Sequence, residues 1–294
     1  MGGFIGNWAG DIMKLAMRTF LATAFAVCSI VLFSTLAQAQ TLKPDIPVGG
    51  DQVVDIYVPD SAKPQGIFRI KKKVPILLYV HGGGWIKGDQ KKVYGLPAYA
   101  NSRGYMLVSV GYRPVPRTNI DGQVSDVIRA IRWTRNNISL YGGDPAKIAI
   151  MGHSAGAHLV SLVGVLKKAG PLRGVVANDV QAYDMVAYAS IRGSIDGVYL
   201  RAFGQNPANW VKWSPITYVR KSSGFPPFMV MYSNSHRPRR AVISQAFAIE
   251  LKRKGTKVTS FNGSRYSHGS IISTIGKSPQ VTTALDRFLK SVYR

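Results

Sequence analysis

Residues 148–166 read Ile-Ala-Ile-Met-Gly-His-Ser-Ala-Gly-Ala-His-Leu-Val-Ser-Leu-Val-Gly-Val-Leu, and this stretch decides the fold. Its first four residues predict a short buried strand, and the apolar run from Ala155 to Leu166 predicts a helix that is buried on nearly every face. Between them, a Gly-x-Ser-x-Gly motif places Ser154 on a sharp strand-to-helix turn that points its hydroxyl outward. The start of the helix also presents the N–H of Ala155 to negative charge. We therefore expect Ser154 to act as a nucleophile.

Short apolar runs alternate with helix-like segments along most of the remaining chain. This alternation predicts an α/β fold, with a mostly parallel, twisted sheet that is flanked by helices. The predicted strands are 52–58 at an edge of the sheet, 75–80, 105–110, 148–151, 173–177, 228–232 and 257–261. The predicted helices are 122–136, 155–166, 242–254 and 279–292. Residues from about 180 to 224 are rich in aromatic side chains and predict an irregular insert, which we interpret as a small lid or cap.

A glycine-rich segment, His81-Gly82-Gly83-Gly84-Trp85, directly follows the predicted strand 75–80. Glycines allow the backbone to approach a substrate oxygen closely. We predict that the N–H groups of Gly83 and Gly84 join that of Ala155 in an oxyanion hole, and that Trp85 lines an apolar substrate pocket. A phosphate-binding loop is the competing interpretation, but the lysine and serine that end such loops are absent here.

A serine hydroxyl is a weak nucleophile at neutral pH and needs an imidazole to accept its proton. Among the five histidines of the chain, His268 follows the last predicted strand, which is where this fold places its catalytic histidine. His236 is the alternative, but the basic residues that flank it oppose protonation of its imidazole. His81, His153 and His158 belong to the glycine-rich segment, the serine turn and the buried helix. We predict that His268 is the general base.

These motifs, in this order and spacing, resemble those of the esterase/lipase and kynurenine-formamidase-like branch of the α/β hydrolases. The segments that carry the resemblance are 81–85 (HGGGW), 111–113 (GYR), 142–145 (GGDP), 152–159 (GHSAGAHL), 214–215 (SP) and His268. The resemblance covers nearly all of the chain after residue 39. It implies an α/β-hydrolase fold and a cofactor-free hydrolase that forms an acyl-serine intermediate on carboxylic esters or, in some members, on formamides.

The sequence departs from this family at the triad acid. Relatives place an aspartate after the strand 228–232, where this chain has Ser233, Asn234, Ser235 and His236. The carboxylates between the serine and the histidine are Asp179, Asp184, Asp196 and Glu250. Asp179 is the predicted acid, because it follows the preceding predicted strand, from which some α/β hydrolases take their acid. Asp184 is the second candidate, and the third is a serine-histidine dyad in which Asn234 or Ser235 orients the imidazole.

The first 39 residues have the pattern of an export signal. Basic residues after Met13, an apolar stretch from Phe20 to Leu36 and a final Ala37-Gln38-Ala39 are typical of a cleaved signal peptide. We predict that residues 1–39 are removed, with Met13 as a candidate true start, and that 40–294 form one α/β-hydrolase domain in the periplasm or outside the cell. A retained membrane anchor is the alternative. The only cysteine of the chain, Cys28, would leave with the signal.

The chain is strongly basic, with 38 lysines and arginines, 14 acidic residues and a formal net charge of +24, which becomes +23 once residues 1–39 are removed. Such a charge attracts anionic surfaces or substrates, and we expect contact with an anionic surface. The basic residues are scattered without interleaved aromatic residues, which argues against a nucleic-acid partner. Histidine and carboxylate residues with the spacing of metal ligands are missing, so the sequence predicts no metal site.

Together these features predict an exported serine hydrolase that cleaves small-molecule carboxylic esters. One alternative is a catalytically weak or inactive binding protein on a hydrolase fold, because the usual aspartate is missing. The other is an arylformamidase-type amide hydrolase, which differs only in its substrate.

Overall fold

The central sheet of the protein brings the ends of several strands to one edge. In the part of the chain that the computed structural model describes, residues 40–62, 73–233 and 238–294, this sheet has eight strands. The predicted signal peptide and the residues Asn234, Ser235 and His236 lie outside these ranges. The strands are β1 (Thr41–Gly49), β2 (Gln52–Val58), β3 (Val74–Val80), β4 (Met106–Val110), β5 (Gly143–His153), β6 (Gly174–Asn178), β7 (Phe228–Ser233) and β8 (Val258–Gly263).

The strands follow the order β1-β2-β4-β3-β5-β6-β7-β8 across the sheet. From β4 to β8 all neighbours are parallel, and β2 runs antiparallel to both β1 and β4. The predicted mostly parallel sheet is therefore confirmed. The prediction that residues 52–58 form an edge strand is wrong, because β1 pairs outside them. Pro44 and Pro47 made β1 hard to recognise from the sequence, and proline is tolerated on such an edge strand.

Helices cover both faces of the sheet. They are α1 (Leu96–Ser102), α2 (Ile120–Asn137), α3 (Ala155–Leu166), α4 (Met185–Arg192), α5 (Gly197–Phe203), α6 (Pro207–Lys212), α7 (Pro215–Lys221), α8 (Pro238–Arg253), α9 (Ser270–Ser273) and α10 (Pro279–Val292). Short 3₁₀ turns lie at Asp60–Ala62 and Ile138–Tyr141. Among the helices of the described residues, none is both long and apolar enough to cross a bilayer.

The insert between β6 and β7 is helical, whereas the sequence predicted an irregular segment. It contains α4, α5, α6 and α7, which have six to eight residues each. Helices of two turns are too short to show a clear 3.6-residue apolar period, which explains why the prediction missed them. Polar side chains mark two of their starts, since Asp184 accepts a hydrogen bond from the N–H of Ala187 and Asn206 from that of Ala208.

Alternate residues of the central strands face two separate hydrophobic cores. On β3, the side chains of Ile76, Leu78 and Val80 pack with α2, α3 and the insert, while Leu77 and Tyr79 pack with α1, α9 and α10 on the other face. All five are fully buried. Two covered faces explain why the central strands are continuous apolar runs in the sequence.

Helix α3 lies so close to the sheet that a glycine is needed at the contact. A Cβ added at Gly164 would come within 2.8 Å of Cζ of Phe228 on β7 and 2.9 Å of a methyl group of Val175 on β6. Both distances are shorter than ordinary contacts between carbon atoms. The helix can pack at this distance only because residue 164 has no side chain.

We expect Gly164→Ala to lower the free energy of unfolding by about 1–3 kcal/mol, because the added methyl group overpacks the core. This loss should exceed the gain of about 1 kcal/mol that alanine brings to a helix interior. Urea unfolding followed by circular dichroism measures the difference. In a double-mutant cycle with Phe228→Leu, which removes the nearest ring atom, the two changes should cost less together than the sum of the single changes. An increase in stability for Gly164→Ala alone would contradict this packing account.

Candidate active site

Ser154 lies on the strained turn between β5 and α3. Its backbone angles are φ 57° and ψ −123°, a conformation that non-glycine residues rarely adopt. The flanking glycines make the turn possible. A Cβ on Gly152 would lie 2.2 Å from the carbonyl oxygen of Gly156, and a Cβ on Gly156 would lie 2.1 Å from that of Val80 on β3. The tight contact between β3, β5 and α3 thus holds Ser154 at the carboxyl end of the sheet.

The structure brings Ser154, His268 and Asp179 together in a hydrogen-bonded chain. Nε2 of His268 lies 3.0 Å from Oγ of Ser154, and Nδ1 lies 2.7 Å from Oδ2 of Asp179. His268 stands on the loop between β8 and α9, and its side chain remains 43% exposed, whereas that of Asp179 is fully buried. This is the arrangement in which an imidazole takes a proton from a serine while a carboxylate fixes its orientation.

Asp179 follows β6 and is held by β7. Its Oδ1 accepts a hydrogen bond from the N–H of Ser233 at 2.7 Å, and its Oδ2 accepts one from the Ser233 hydroxyl at 2.7 Å. Burial raises the pKa of the Asp179 carboxyl. The hydrogen bond from His268, the nearby charge of Arg240 and the Ser233 N–H outweigh burial, so this pKa lies below its usual value. The carboxyl is therefore an anion at neutral pH.

The other candidate acids lie elsewhere. Asp184 caps α4 and also faces Arg220. Asp196 pairs with Arg192 in the insert, and Glu250 pairs with Arg253 on the exposed side of α8. Their contacts are those of helix caps and surface ion pairs. The third possibility, a dyad supported by Asn234 or Ser235, falls on residues outside the described part of the chain.

His153, which the sequence assigned only to the serine turn, contacts His268 directly. Its Nε2 lies 2.8 Å from the backbone oxygen of His268, and the two rings are 4.7 Å apart. Burial, followed by the neighbouring His268, lowers the pKa of His153 to about 3. The ring is therefore neutral at pH 7, and its Nε2–H donates to the His268 carbonyl. This hydrogen bond ties the histidine loop to the serine turn.

The glycine-rich segment passes directly beside Ser154. A Cβ on Gly82 would lie 3.0 Å from Cβ of Ser154, and one on Gly83 would lie 1.8 Å from the carbonyl oxygen of Lys87. Among the described residues, the N–H groups of Gly83, Gly84 and Ala155 have no hydrogen-bond acceptor. Three donors without a protein partner therefore lie on the two backbone segments that border the serine. They are available to a substrate oxygen.

Trp85 lies beneath this segment and not on an open surface. It is 2% exposed, its indole N–H donates to Nδ1 of His158 at 3.1 Å, and its ring packs edge-on against Tyr199 and Phe203 of α5. His158 in turn donates from Nε2 to the carbonyl of Trp213. We therefore assign Trp85 a packing role, linking the glycine-rich segment to the insert, in place of the predicted substrate contact. The sequence alone does not show whether an aromatic residue lines a substrate pocket or packs behind the segment that does.

The Gly-Tyr-Arg segment, residues 111–113, holds the start of the glycine-rich segment in place. The ring of Tyr112 stacks on that of His81 at 4.3 Å, and its hydroxyl donates to the His81 carbonyl. Arg113 forms a two-bond ion pair with Asp126, a fully buried carboxylate on α2. These contacts anchor the start of the glycine-rich segment to β4 and α2.

Three functional contacts were not found from the sequence: the support of Asp179 by Ser233, the bond from His153 to His268, and a buried cation, Arg240, near the carboxylate. Ser233 stands where the family resemblance predicts an aspartate. The absence of that aspartate was the only sign in the sequence that this position has a different role. Arg240 belongs to the basic run that follows His236 in the sequence, yet its side chain is only 10% exposed.

Comparison with known proteins places this architecture among esterases. The BD-FAE family model matches residues 54–197. Esterase LipQ of Mycobacterium tuberculosis (strain ATCC 25618 / H37Rv) is 30% identical over 264 residues, which cover 84% of this chain and 61% of LipQ. The probable carboxylic ester hydrolase LipM of the same strain is 25% identical and covers 74% of this chain and 54% of LipM. The chain thus spans little more than half the length of these relatives.

Esterase B from Lactobacillus rhamnosis, solved with a C6-C4 SN3 inhibitor, has a similar structure. The two share a TM-score of 0.70 with 20% sequence identity, and the similarity covers 96% of each chain. At this identity the comparison shows the fold. Taken with the family model, the esterase relatives and the serine turn at the edge of a mostly parallel sheet, it shows an α/β-hydrolase fold and supports a place for this chain among the esterases and lipases of that fold.

Proposed function

We propose that this protein is a serine carboxylesterase in which Ser154 is the nucleophile, His268 the general base and Asp179 the orienting acid. The observation that carries the proposal is the unbroken chain of hydrogen bonds from Oγ of Ser154 through His268 to Oδ2 of Asp179. The esterase relatives support a carboxylic ester as the substrate. The burial and ionisation of Asp179 support its role, because a fixed anion stabilises the imidazolium that forms during the reaction.

In the proposed reaction, Oγ of Ser154 attacks the ester carbonyl carbon while its proton moves to Nε2 of His268. The carbonyl oxygen becomes an oxyanion, and the tetrahedral intermediate collapses as the carbon–oxygen bond to the alcohol breaks. The alcohol leaves with the proton from Nε2. A water molecule then gives a proton to Nε2 and attacks the acyl-serine, which releases the acid and regenerates the serine hydroxyl.

The N–H groups of Gly83, Gly84 and Ala155 are the proposed oxyanion donors. Each lacks a hydrogen-bond acceptor among the described residues, and that of Ala155 lies at the start of α3, where the helix dipole favours negative charge. Loss of one such donor typically raises the barrier by about 3–4 kcal/mol. Because these groups belong to the backbone and lie on constrained turns, little reorganisation is needed when the charge develops.

The insert is proposed to form one wall of the substrate site. Val198 of α5 approaches Gly84 so closely that a Cβ on the glycine would lie 3.0 Å from a Val198 methyl group. An apolar residue of the insert thus borders the proposed oxyanion donors. This placement supports a role of the insert as a lid that shapes the space for the ester. The net charge of +24 supports the attraction of an anionic surface by the protein as a whole.

We further propose that the protein is exported after removal of residues 1–39. The basic start, the apolar stretch and the Ala-x-Ala ending of that segment support cleavage. The single cysteine of the chain, Cys28, lies in the segment that would be removed. The mature protein would therefore have no thiol that an oxidising compartment could oxidise. A periplasmic or secreted esterase is the function that combines these features.

Replacement of the serine tests the esterase proposal. We expect the wild type to hydrolyse p-nitrophenyl butyrate and Ser154→Ala to lose this activity, because no alcohol nucleophile would remain at the turn. A fluorophosphonate probe should label the wild type once, at Ser154, and should not label Ser154→Ala, as read by intact-mass spectrometry. Equal background rates for both proteins, without labelling, would favour the inactive binding protein.

Two conservative substitutions test the acid. Asp179→Asn should reduce kcat by about 10⁴-fold, because an amide at this position favours the wrong tautomer of the imidazole. Asp184→Asn is a matched control, since asparagine also caps helices and should keep α4 intact. Its kcat should stay within about threefold of the wild type, because the affected surface contact contributes little. Equal turnover by Asp179→Asn and the wild type would exclude Asp179 as the acid.

Export is tested by the mature N-terminus. When the full chain is produced in a Gram-negative host, the protein in the periplasmic fraction should begin at Gln40, because Ala37 and Ala39 provide the small residues that signal peptidase requires. Intact mass and N-terminal sequencing give the result. A protein that keeps residues 13–39 and sediments with membranes would support the retained anchor instead.

A further inference from the structure

A buried cation lies beside the triad and has no part in the reaction described above. Arg240 is the third residue of α8, and its side chain is only 10% exposed. Its Nη1 lies 3.1 Å from the backbone oxygen of Asp179 and 3.5 Å from Oδ2 of the same residue. The same nitrogen is 3.3 Å from Nδ1 of His268. A guanidinium at this depth is costly unless it is paired, and Asp179 is the anion that it meets.

The donors and acceptors in this cluster fix the position of one proton. A guanidinium has only N–H donors, so Arg240 faces the backbone oxygen and Oδ2 of Asp179 as a donor. It cannot accept a hydrogen bond from a protonated Nδ1 of His268. Nδ1 of His268 lies 2.7 Å from Oδ2 of Asp179, a distance at which it must donate its own proton to the carboxylate. Two N–H donors from different elements, one of them a cation, therefore converge on one carboxylate. Nε2 of His268 is left as the acceptor that faces Ser154.

Arg240 opposes the addition of a second proton to the imidazole of His268. Within the described residues, the groups that face the pair are His153 from the serine turn, Asp179 after β6, Tyr183 and Tyr199 from the insert and Arg240 from α8. His153 is neutral at pH 7, and burial raises the pKa of both phenols, so they are neutral as well. One anion and one cation remain. A proton added to His268 would place a second cation beside Arg240, with only one carboxylate between them.

We propose that Arg240 is a positioning residue of the triad: its guanidinium keeps the Asp179 carboxylate ionised and opposes a second proton on His268, so that the single proton of the imidazole stays on Nδ1. The inference rests on the proposed function, in which His268 accepts a proton from Ser154. It explains how a fully buried aspartate after β6 can serve as the acid. Ser233 supplies hydrogen bonds to that aspartate, and Arg240 supplies the opposite charge.

The imidazole titration tests this proposal without relying on turnover. The ¹H–¹⁵N imidazole signals of His268, assigned by comparison with His268→Gln, are followed from pH 4 to pH 9 in the full mature protein. In Arg240→Gln the midpoint of the titration should rise by about one pH unit, the effect of removing one unit charge at this separation even with the dielectric constant of water. Arg240→Lys keeps the charge and should move the midpoint by less than half as much.

Arg239→Gln is the matched control. The adjacent arginine donates to Gln181 and lies over the ring of Tyr188, so its loss removes the same charge from α8 without touching Asp179. Its midpoint should stay close to that of the wild type. If Arg240→Gln unfolds, Arg240→Met provides a second uncharged variant of similar length. An unchanged His268 midpoint in a folded, uncharged variant would overturn the proposal.

Activity separates this inference from the proposed function. In an active enzyme, the acidic limb of kcat/KM for p-nitrophenyl butyrate should move to higher pH by the same amount as the His268 midpoint in Arg240→Gln. A wild type without esterase activity would overturn the proposed function, while the NMR titration would still decide whether Arg240 controls the imidazole. A lower thermal stability of Arg240→Gln with no change in either pH profile would show a structural role only and would contradict the inference.

Discussion

The close contact between α3 and β3 is the constraint on which the site depends. Gly156 lies against the carbonyl groups of Val80 and His81, so close that a single added carbon would overlap them. This contact forces the backbone at Ser154 into its left-handed turn and places the glycine-rich segment beside the serine. The strain at residue 154 is compensated by the packing of a helix that is buried on almost every side. The position of Ser154 and that of the proposed oxyanion donors therefore depend on the same contact.

The proposed acid, Asp179, follows a different strand from the one after which the family resemblance predicts an aspartate. The sequence has no aspartate after β7, and the carboxylate comes from the neighbouring strand β6. Parallel strands end at the same edge of a sheet, so an aspartate on either of two adjacent strands can reach the same histidine. Ser233 of β7 now holds the carboxylate with two hydrogen bonds. The position at which the resemblance predicts an acid thus carries a hydrogen-bond donor to the proposed acid.

The strongest sequence predictions rest on long periodic or continuous apolar segments. The helix 155–166 and the helix 279–292 have the predicted bounds, because each presents a clear buried face over more than three turns. The esterase/lipase family was recognised from glycine positions that steric contact imposes, as Gly152 and Gly156 show. Asp179 was singled out by counting carboxylates along the chain, and the structure places it at the hydrogen-bonding distance from His268 that a triad needs.

Features that depend on long-range contacts were missed for physical reasons. Nothing local distinguishes Arg240 from the exposed arginines near it, since its burial is set by the packing of α8 against β7 and β8. Trp85 was expected to line a pocket, because an aromatic residue after a glycine-rich segment gives no sign of which side it faces. The hydrogen bond from His153 to the His268 backbone joins residues 115 positions apart. Such contacts are defined only once the sheet has assembled.

The contact between Gly84 and Val198 has an evolutionary consequence. Because the insert abuts the glycine-rich segment, an alanine at 84 would have to displace a Val198 methyl group that lies 3.0 Å from its Cβ. Residue 84 therefore favours glycine for as long as α5 keeps its place, and its positive φ adds to this preference. If a duplicated copy of this protein acquired a new specificity through a changed insert, the contact between Val198 and residue 84 would be relaxed. A change in the insert would then permit a later change at position 84 of the glycine-rich segment.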